Sequence, residues 1–355
     1  VACLVGSEMC IRDRKKILEK LFDHNYLEYE ESKKVLKEIS SKKYNNSQVA
    51  SFLTVFKMRN PSVQEIEGFR DALLDLCVKI DLSSDFETID LCGTGGDGKN
   101  TFNISTISSF VVAGAGYKVT KHGNYGVSSS CGSSDVLQQL GIKLSNDDGY
   151  LKKCLDKGNF CYLHAPLFHP AMKNVAGVRK ELEFKTFFNI LGPLVNPLQP
   201  KNQLCGVYNL ELSRLYGYVF ENSKKNYSIL YSLDGYDEIS LTSDFMKISR
   251  NDSTINSPDY FGFNKINPDE IKGGESIEDS ASIFTKILEN KATKSQTDVV
   301  LANSAIAIQT ITNKTIDECL SIAKQSIDSG SALNCLKKIY YTIFDNFKHI
   351  FKKHV

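Results

Sequence analysis

From Lys15 to about Leu82 the apolar positions recur at the spacing that places them on one face of an α-helix. Ile17, Leu18, Leu21 and Phe22 make one such face, Val35, Leu36 and Ile39 a second, Val49, Phe52, Leu53 and Phe56 a third, and Ile66, Phe69, Leu73 and Leu76 a fourth. Ser47 and Ser62 stand where N-caps are expected, and Asn60-Pro61 closes the preceding helix because proline pushes the residue before it out of the α region. The pattern predicts a bundle of about four short helices.

Near Thr88 the texture changes. Short β-prone runs, Thr88 to Leu91, Tyr117 to Thr120, Phe160 to Leu163, Gln203 to Tyr208 and Tyr227 to Leu233, alternate with helix-like stretches such as Ser133 to Leu140, which ends at Gly141 as a C′ residue. Strands separated by helix-length segments imply βαβ crossovers and a mostly parallel sheet. The expected fold class is α/β, with a small N-terminal helical domain at 15–85 and a large α/β domain at 86–355. A Pro-, Gly- and Arg-rich stretch near 169–200 breaks the rhythm and is expected to cross between them.

Composition narrows the function classes. At 355 residues, 41% hydrophobic and 24% charged, the chain suits one large or two packed domains and excludes disordered and collagen-like architectures. Its 43 Lys+Arg against 42 Asp+Glu create no global field for nucleic acid or anionic membrane, so any anion site must be local. Ten scattered cysteines without a CxxC pair fit reduced thiols in a cytoplasm. No run approaches the roughly 20 apolar residues that span a bilayer. The opening VACLVG is too short for a signal-peptide core, and CLVGSEMCIRDR resembles translated adapter read-through. Residues 1–14 are therefore expected to be a non-native leader, with the natural chain beginning near Lys15; a short natural leader is the alternative.

The first chemical signal is Asp90-Leu-Cys-Gly-Thr-Gly-Gly-Asp-Gly98, directly after a predicted strand. Glycines there let several backbone N–H groups converge on one phosphate. A dinucleotide reading of Gly93, Gly95 and Gly98 lacks the acid expected about 20 residues on, where the chain is basic. A plain structural turn is the other alternative. Lys99-Asn-Thr-Phe-Asn-Ile-Ser-Thr106 follows, ahead of the apolar run Ile107 to Ala113. Any one of these hydroxyls or amides could simply cap that helix. Several together, one turn from a glycine-rich loop, describe a polyanion cradle.

The second signal, Lys121-His-Gly-Asn-Tyr-Gly-Val-Ser-Ser-Ser-Cys-Gly-Ser-Ser-Asp135, again lies between strand and helix. Lys121 can neutralise a phosphate and the serines can donate to its oxygens. The third comprises His169-Pro-Ala-Met-Lys-Asn-Val-Ala-Gly-Val-Arg179 and Asn189-Ile-Leu-Gly-Pro-Leu-Val-Asn-Pro197, where an arginine fork suits a carboxylate and the Gly-Pro and Asn-Pro pairs read as loop punctuation. The fourth, Asp234-Gly-Tyr-Asp-Glu-Ile-Ser240, carries adjacent carboxylates that reach one pocket only if the chain turns or metal waters bridge them. Hard oxygen ligands of this kind suit Mg²⁺; a solvated turn is the alternative.

In this order the four motifs resemble the anthranilate phosphoribosyltransferases of tryptophan biosynthesis, from about Lys15 to the C-terminus and including Lys272-Gly-Gly-Glu275 and Ser329-Gly-Ser331. The resemblance implies a homodimeric, cytoplasmic transferase packed through its helical domain, with Mg²⁺ as cofactor and anthranilate and phosphoribosyl pyrophosphate as substrates. On it, Gly93, Gly96, Asp97, Thr101, Asn103, Ser105, Thr106, Lys121, Ser128, Ser129 and Ser133 hold the pyrophosphate donor. Ser105, Asp237 and Glu238 carry the metal. Gly93, His122, Asn124, Arg179 and Gly192 receive anthranilate, with Lys121, Asn124 and Arg179 as the catalytic set. His122 is alternatively a satisfied structural histidine.

Five positions depart from the usual family text: Tyr125 replaces an arginine, Ser130 a frequent lysine, Cys131 a serine, Gly177 a proline and Lys185 an arginine. The two cations missing from the second loop are expected to weaken diphosphate binding, each charge-assisted contact being worth roughly 1.5–3 kcal/mol. The competing expectations are a pyrimidine or thymidine nucleoside phosphorylase, which uses orthophosphate without Mg²⁺, and a non-catalytic homologue that binds phosphoribosyl compounds or nucleic acid. The Asp237-Glu238 pair and the GPLxNP segment favour the transferase.

Overall fold

The computed structural model describes residues 14–82, 86–126 and 131–351, the side chains of 343–351 excepted. Ser128 and Ser129, Ser130 and nearly all of the expected leader lie outside the described residues. The chain divides into two compact units, one formed by the described part of Val1–Val78 with Phe168–Val195, the other by Lys79–Leu167 with Asn196–Val355.

Four helices open the first unit: α1 (residues 14–22), α2 (Tyr29–Ser40), α3 (Asn46–Met58) and α4 (Val63–Leu76). Ser62 caps α4 as expected, its side chain accepting from Glu65 N at 3.2 Å. The cap of α3 is Asn45 rather than Ser47: the Asn45 side chain reaches Gln48 N at 2.9 Å, and Ser47 already sits inside the first turn. Phe22 (53% exposed) and Leu76 (37%) leave the predicted apolar faces, because each lies beside the stripe that packs inward. The segment after Phe168 completes this bundle. Val78 N donates to Phe168 O at 2.8 Å, and Phe187 packs its ring among Phe52, Phe56 and Phe69, at 5.9, 5.1 and 4.6 Å between centroids.

In the second unit the order is β1 (Thr88–Gly93), α5 (Ile104–Gly114), β2 (Lys118–Gly123), α6 (Ser133–Gln139), α7 (Asp148–Gly158) and β3 (Phe160–His164). The chain leaves through α8 (Ala165–Phe168), runs in the first unit as α9 (Lys173–Leu182) and α10 (Phe188–Leu191), and returns as β4 (Asn202–Gly206), α11 (Leu210–Glu221) and β5 (Asn226–Ser232). β6 (Phe245–Ser249), β7 (Ser253–Asn256), α12 (Ile277–Leu288), α13 (Lys294–Thr312), α14 (Ile316–Asp328) and α15 (Ser331–Phe351) follow.

These strands form a seven-stranded sheet ordered β3-β2-β1-β4-β5-β6-β7. Every pairing from β3 to β5 is parallel, and β6 and β7 add an antiparallel edge. The five predicted strands are all present and Gly141, at φ +79°, ends α6 as expected. The chain winds away from β1 first through β2 and β3 and then, on its other side, through β4 and β5. In open parallel sheets a crevice forms where the winding reverses, at the carboxyl ends of the two central strands. Here those ends are Gly93 and Gly206, opposite each other in register. Helices α5 and α13 are buried along most of their length, so the backbone entering the crevice is held by core packing.

Candidate functional site

The loop after β1 turns through Gly95, Gly96 and Gly98 at φ +63°, +81° and +74°, the left-handed region that glycine enters without a Cβ clash. It meets the acidic loop after β5. Gly95 N donates to Asp237 Oδ2 at 2.7 Å, and Ser105 N, in the first turn of α5, donates to Glu238 Oε1 at 3.2 Å. Helix N-termini leave such amides without intrahelical partners, and an acid there also meets the favourable end of the helix dipole. Both carboxylates face one loop because the chain turns at Gly235, φ +91°, with Gly235 N bonded to Ser232 O at 2.8 Å.

The acidic loop is held from behind. Asn303 of α13 donates to Ile239 O at 2.9 Å and accepts from Ile239 N at 3.1 Å, while Ser232 Oγ donates to Glu238 O at 2.6 Å. It is also held from below, by absence of bulk. A Cβ on Gly93 would stand 2.4 Å from Asp237 Oδ2, and one on Gly206 only 1.6 Å from Asp237 O. The two glycines that end the central strands therefore make the room that Asp237 occupies.

Lys121 is buried at the end of β2, its Nζ donating to Leu91 O and, at 3.2 Å, to Ser105 Oγ. Asp90, fully buried on β1, accepts from His122 N at 3.1 Å and Asn196 Nδ2 at 2.9 Å. Burial pushes the Asp90 carboxyl up to about 6 against the opposing pull of Lys121. Glu238 is pushed up to about 7, again by burial, with Lys121 and the Ser105 hydrogen bond pulling down. Asp237 is raised well above the usual carboxylate range by burial and by the neighbouring Asp97 and Glu238 charges. The site thus concentrates acids that a cation would relieve.

Asn103 precedes α5 but its side chain caps nothing; Nδ2 instead donates to Cys131 O at 3.1 Å, tying the first loop to the second. Asp135 pins both ends of the second loop, accepting from Gly126 N at 2.9 Å and Gly132 N at 2.8 Å. Asn124 is exposed there, and the Ser133 hydroxyl lies 2.7 Å from Tyr162 OH. Thr101 pairs with Lys272, and Gly273 N donates to Asn100 O at 2.7 Å, so the late glycine pair packs on the first loop. Asp97 Oδ1 accepts from Lys99 N at 3.0 Å. Thr106 and His122 are buried, whereas Asn103 and Ser105 are half-exposed.

Of the sequence-derived residues, Gly93, Asp97, Ser105, Lys121, Asp237 and Glu238 form one connected set in the second unit, linked by the contacts and charges above. Arg179 and Gly192 belong to the first unit. There the Arg179 guanidinium stands 5.2 Å from the Phe188 ring centroid, and Nη2 is 3.4 Å from Asn189 Oδ1, which also accepts from Thr186 N at 3.1 Å. Burial draws its pKa below the ordinary arginine value. A Cβ on Gly192 would meet nothing within 4 Å. His169 is a core residue: its Nε2 lies 2.9 Å from Val195 O, and burial lowers its pKa to about 4.

Four positioning residues are not among the site residues expected from the motifs. Gly206 and Asn303 shape the acidic loop, while Asp90 and Asn196 hold the strand ends. Asn196, in an Asn-Pro pair that by sequence reads as loop punctuation, is fully buried and donates to both Asp90 Oδ2 and, at 2.8 Å, Thr120 O. Gly206 carried a usable signal as a glycine inside a predicted strand, where it often marks a close backbone approach; an asparagine in the middle of an apolar helix carried a weaker one.

The chain matches the family model described as glycosyl transferase family, a/b domain, over residues 53–333, and its helical bundle domain over residues 15–77. It is 56% identical over 325 residues to the anthranilate phosphoribosyltransferase of Christiangramia forsetii, covering 92% of this chain and 98% of the relative. For the Bacteroides thetaiotaomicron enzyme of the same name the figures are 52%, 91% and 98%. Among solved structures, anthranilate phosphoribosyltransferase from Saccharomyces cerevisiae in complex with PRPP and Mg matches with TM-score 0.87 at 26% identity, over 94% of this chain and 98% of that one. The Thermus thermophilus enzyme matches with TM-score 0.84 at 26% identity, over 92% and 98%.

Proposed function

The chain belongs to the anthranilate phosphoribosyltransferase family, and from that premise we propose how its own residues serve the transfer. The reaction moves the 5-phosphoribosyl group of 5-phosphoribosyl 1-pyrophosphate to the amine of anthranilate, releasing pyrophosphate, in tryptophan biosynthesis. One observation carries the assignment of residues: the amides of Gly95 and Ser105 each hold one carboxylate of the Asp237-Glu238 pair, so glycine-rich loop, helix N-terminus and acid pair are one site.

The bond from ribose C1 to pyrophosphate breaks as the C1–N bond forms, leaving positive charge on the ribose ring and negative charge on the departing group. Fixed donors at the leaving group lower this barrier most. Gly93, Gly96, Asp97, Thr101, Asn103, Ser105 and Thr106 would build the donor's cradle, with Ser128, Ser129 and Ser133 completing it from the second loop. Lys121 would supply positive charge from beneath Ser105 Oγ. Asp237, Glu238 and Ser105 would hold Mg²⁺, which would offset the negative charge of the pyrophosphate. The donor set fits a hard cation: oxygen ligands only, including two adjacent carboxylates that desolvation pushes upward.

An aromatic amine is neutral at pH 7 and exposes its lone pair without a strong base, so the acceptor needs placement more than proton abstraction. Arg179 would bind the anthranilate carboxylate, and Asn124, His122, Gly93 and Gly192 would orient the ring and amine. Arg179→Ala should raise the anthranilate KM far more than that of the pyrophosphate donor; equal effects would count against the role. We place the enzyme in the cytoplasm as a homodimer joined through its helical unit, where Phe22, Tyr26 and Met58 are exposed. Among the described residues no helix is long and apolar enough to cross a membrane.

The test mixes protein, anthranilate, the pyrophosphate donor and Mg²⁺ and follows the loss of anthranilate fluorescence with and without chelator. Turnover that stops on chelation is expected; turnover indifferent to it would sink the metal assignment. Sedimentation of the same preparation decides the dimer.

A further inference from the structure

The family's usual arginine is replaced at Tyr125, and the Tyr125 ring stands edge-on to His164 at the end of β3, 4.8 Å between centroids. His164 begins a run of side chains leading back to the second loop. Its Nδ1 is 2.8 Å from Ser134 Oγ; Ser134 Oγ is 2.7 Å from Tyr162 OH; Tyr162 OH is 2.7 Å from Ser133 Oγ; and Ser133 Oγ donates to Asn124 O at 3.3 Å. Ser134 N donates to the same carbonyl at 3.1 Å. His164, Tyr162 and Ser134 are buried.

The far end of this run decides its direction. A carbonyl can only accept, and each hydroxyl has one hydrogen. Ser133 spends its hydrogen on Asn124 O, so it must accept from Tyr162. Tyr162, having given its hydrogen to Ser133, must accept from Ser134. Ser134, having given its own to Tyr162, must accept from His164 Nδ1. The imidazole is therefore the Nδ1–H tautomer. Burial favours its neutral form, against the Asp135 charge, which favours protonation; Tyr125 and Tyr162 are the other titratable groups against it.

We propose that His164 is a positioning residue that fixes the donor order of this relay and thereby the main chain of Asn124. Asn124 is the residue assigned above to the acceptor, so the kinetic part of the inference rests on that reading. The tautomer does not.

Two measurements separate them. Nitrogen-15 NMR of the histidine-labelled enzyme should show His164 protonated at Nδ1 and bare at Nε2, and Ser133→Ala, which frees the relay's far end, should admit the other tautomer. A wild-type imidazole protonated at Nε2 alone would overturn the proposal. Kinetically, His164→Phe keeps a ring for Tyr125 but removes the donor, and should raise the anthranilate KM about fivefold, the loss of roughly one neutral hydrogen bond. His164→Asn, whose amide nitrogen can stand near the Nδ1 position, should restore most of it. In an Asn124→Ala background His164→Phe should cost little more. A His164→Phe defect undiminished by His164→Asn, or fully additive with Asn124→Ala, overturns the positioning role. If Asn124→Ala itself leaves the anthranilate KM unchanged while the tautomer is as stated, the acceptor assignment of Asn124 fails and the relay stands.

Discussion

At the scale of single residues, the site depends as much on missing atoms as on functional groups. Gly206 has ordinary backbone angles, so its value is steric: one added carbon would overlap the Asp237 carbonyl. Gly206→Ala should push the acidic loop off its contacts with Gly95 and Ser105. The expected result is a fall in kcat/KM of about a hundredfold or more, since small displacements of positioned groups carry costs of that order, together with a higher Mg²⁺ requirement. Overpacking should cost stability by only about 1–3 kcal/mol. Activity measured across a Mg²⁺ series, beside a urea melt, checks both. Gly93→Ala offers a milder comparison, because the atom it meets belongs to a side chain that can swing.

Between elements, the buried knot of Asp90 and Asn196 joins β1, β2 and the returning chain. Asn196→Ala would leave the Asp90 carboxylate and Thr120 O short of donors in the core, and each buried group left unsatisfied costs about 1–3 kcal/mol. A loss of roughly 2–5 kcal/mol in urea unfolding is expected on the same basis. Asp90 also couples this knot to pH. Its carboxyl rises from 3.8 when unfolded to about 6 when folded, so the folded state holds the proton more tightly. The stability it contributes is full below about pH 4 and is lost as pH rises through 6, a change of roughly 3 kcal/mol at most. Between pH 4 and pH 7 the wild-type chain should therefore lose more stability than Asp90→Asn, which cannot ionise. Denaturation of both proteins at the two pH values checks the sign; an equal change would show that Asp90 is ionised throughout.

For the whole molecule, folding and catalysis draw on different parts. The helical unit rests on a phenylalanine cluster and the α/β unit on a sheet sandwiched by apolar helices. Among the described residues no group of three His, Cys, Asp or Glu side chains could hold a metal by itself. Chelation should accordingly abolish turnover while leaving the Tm of the substrate-free enzyme within about a degree, whereas a structural metal would be worth many kcal/mol of folding free energy. Differential scanning calorimetry with and without chelator makes the comparison.

How much of this was legible in the sequence follows from the range of the forces involved. Local rules sufficed for many of the elements: the period of the apolar residues marked the four N-terminal helices, the β-prone runs marked five of the seven strands, and the glycines of the first loop marked a sharp turn. The same glycine-rich, hydroxyl-rich and acidic motifs were enough to suggest an anion site. Where local rules compete they mislead: the sequence points to Ser47 as a cap, but the geometry of the first turn gives that place to Asn45. Only the tertiary structure decided which distant residues stand behind the motifs. Asn303, Asn196, Gly206 and His164 lie far along the chain from the loops they serve, and hydrogen bonds and van der Waals exclusion act over a few ångströms of space, whatever the distance in sequence.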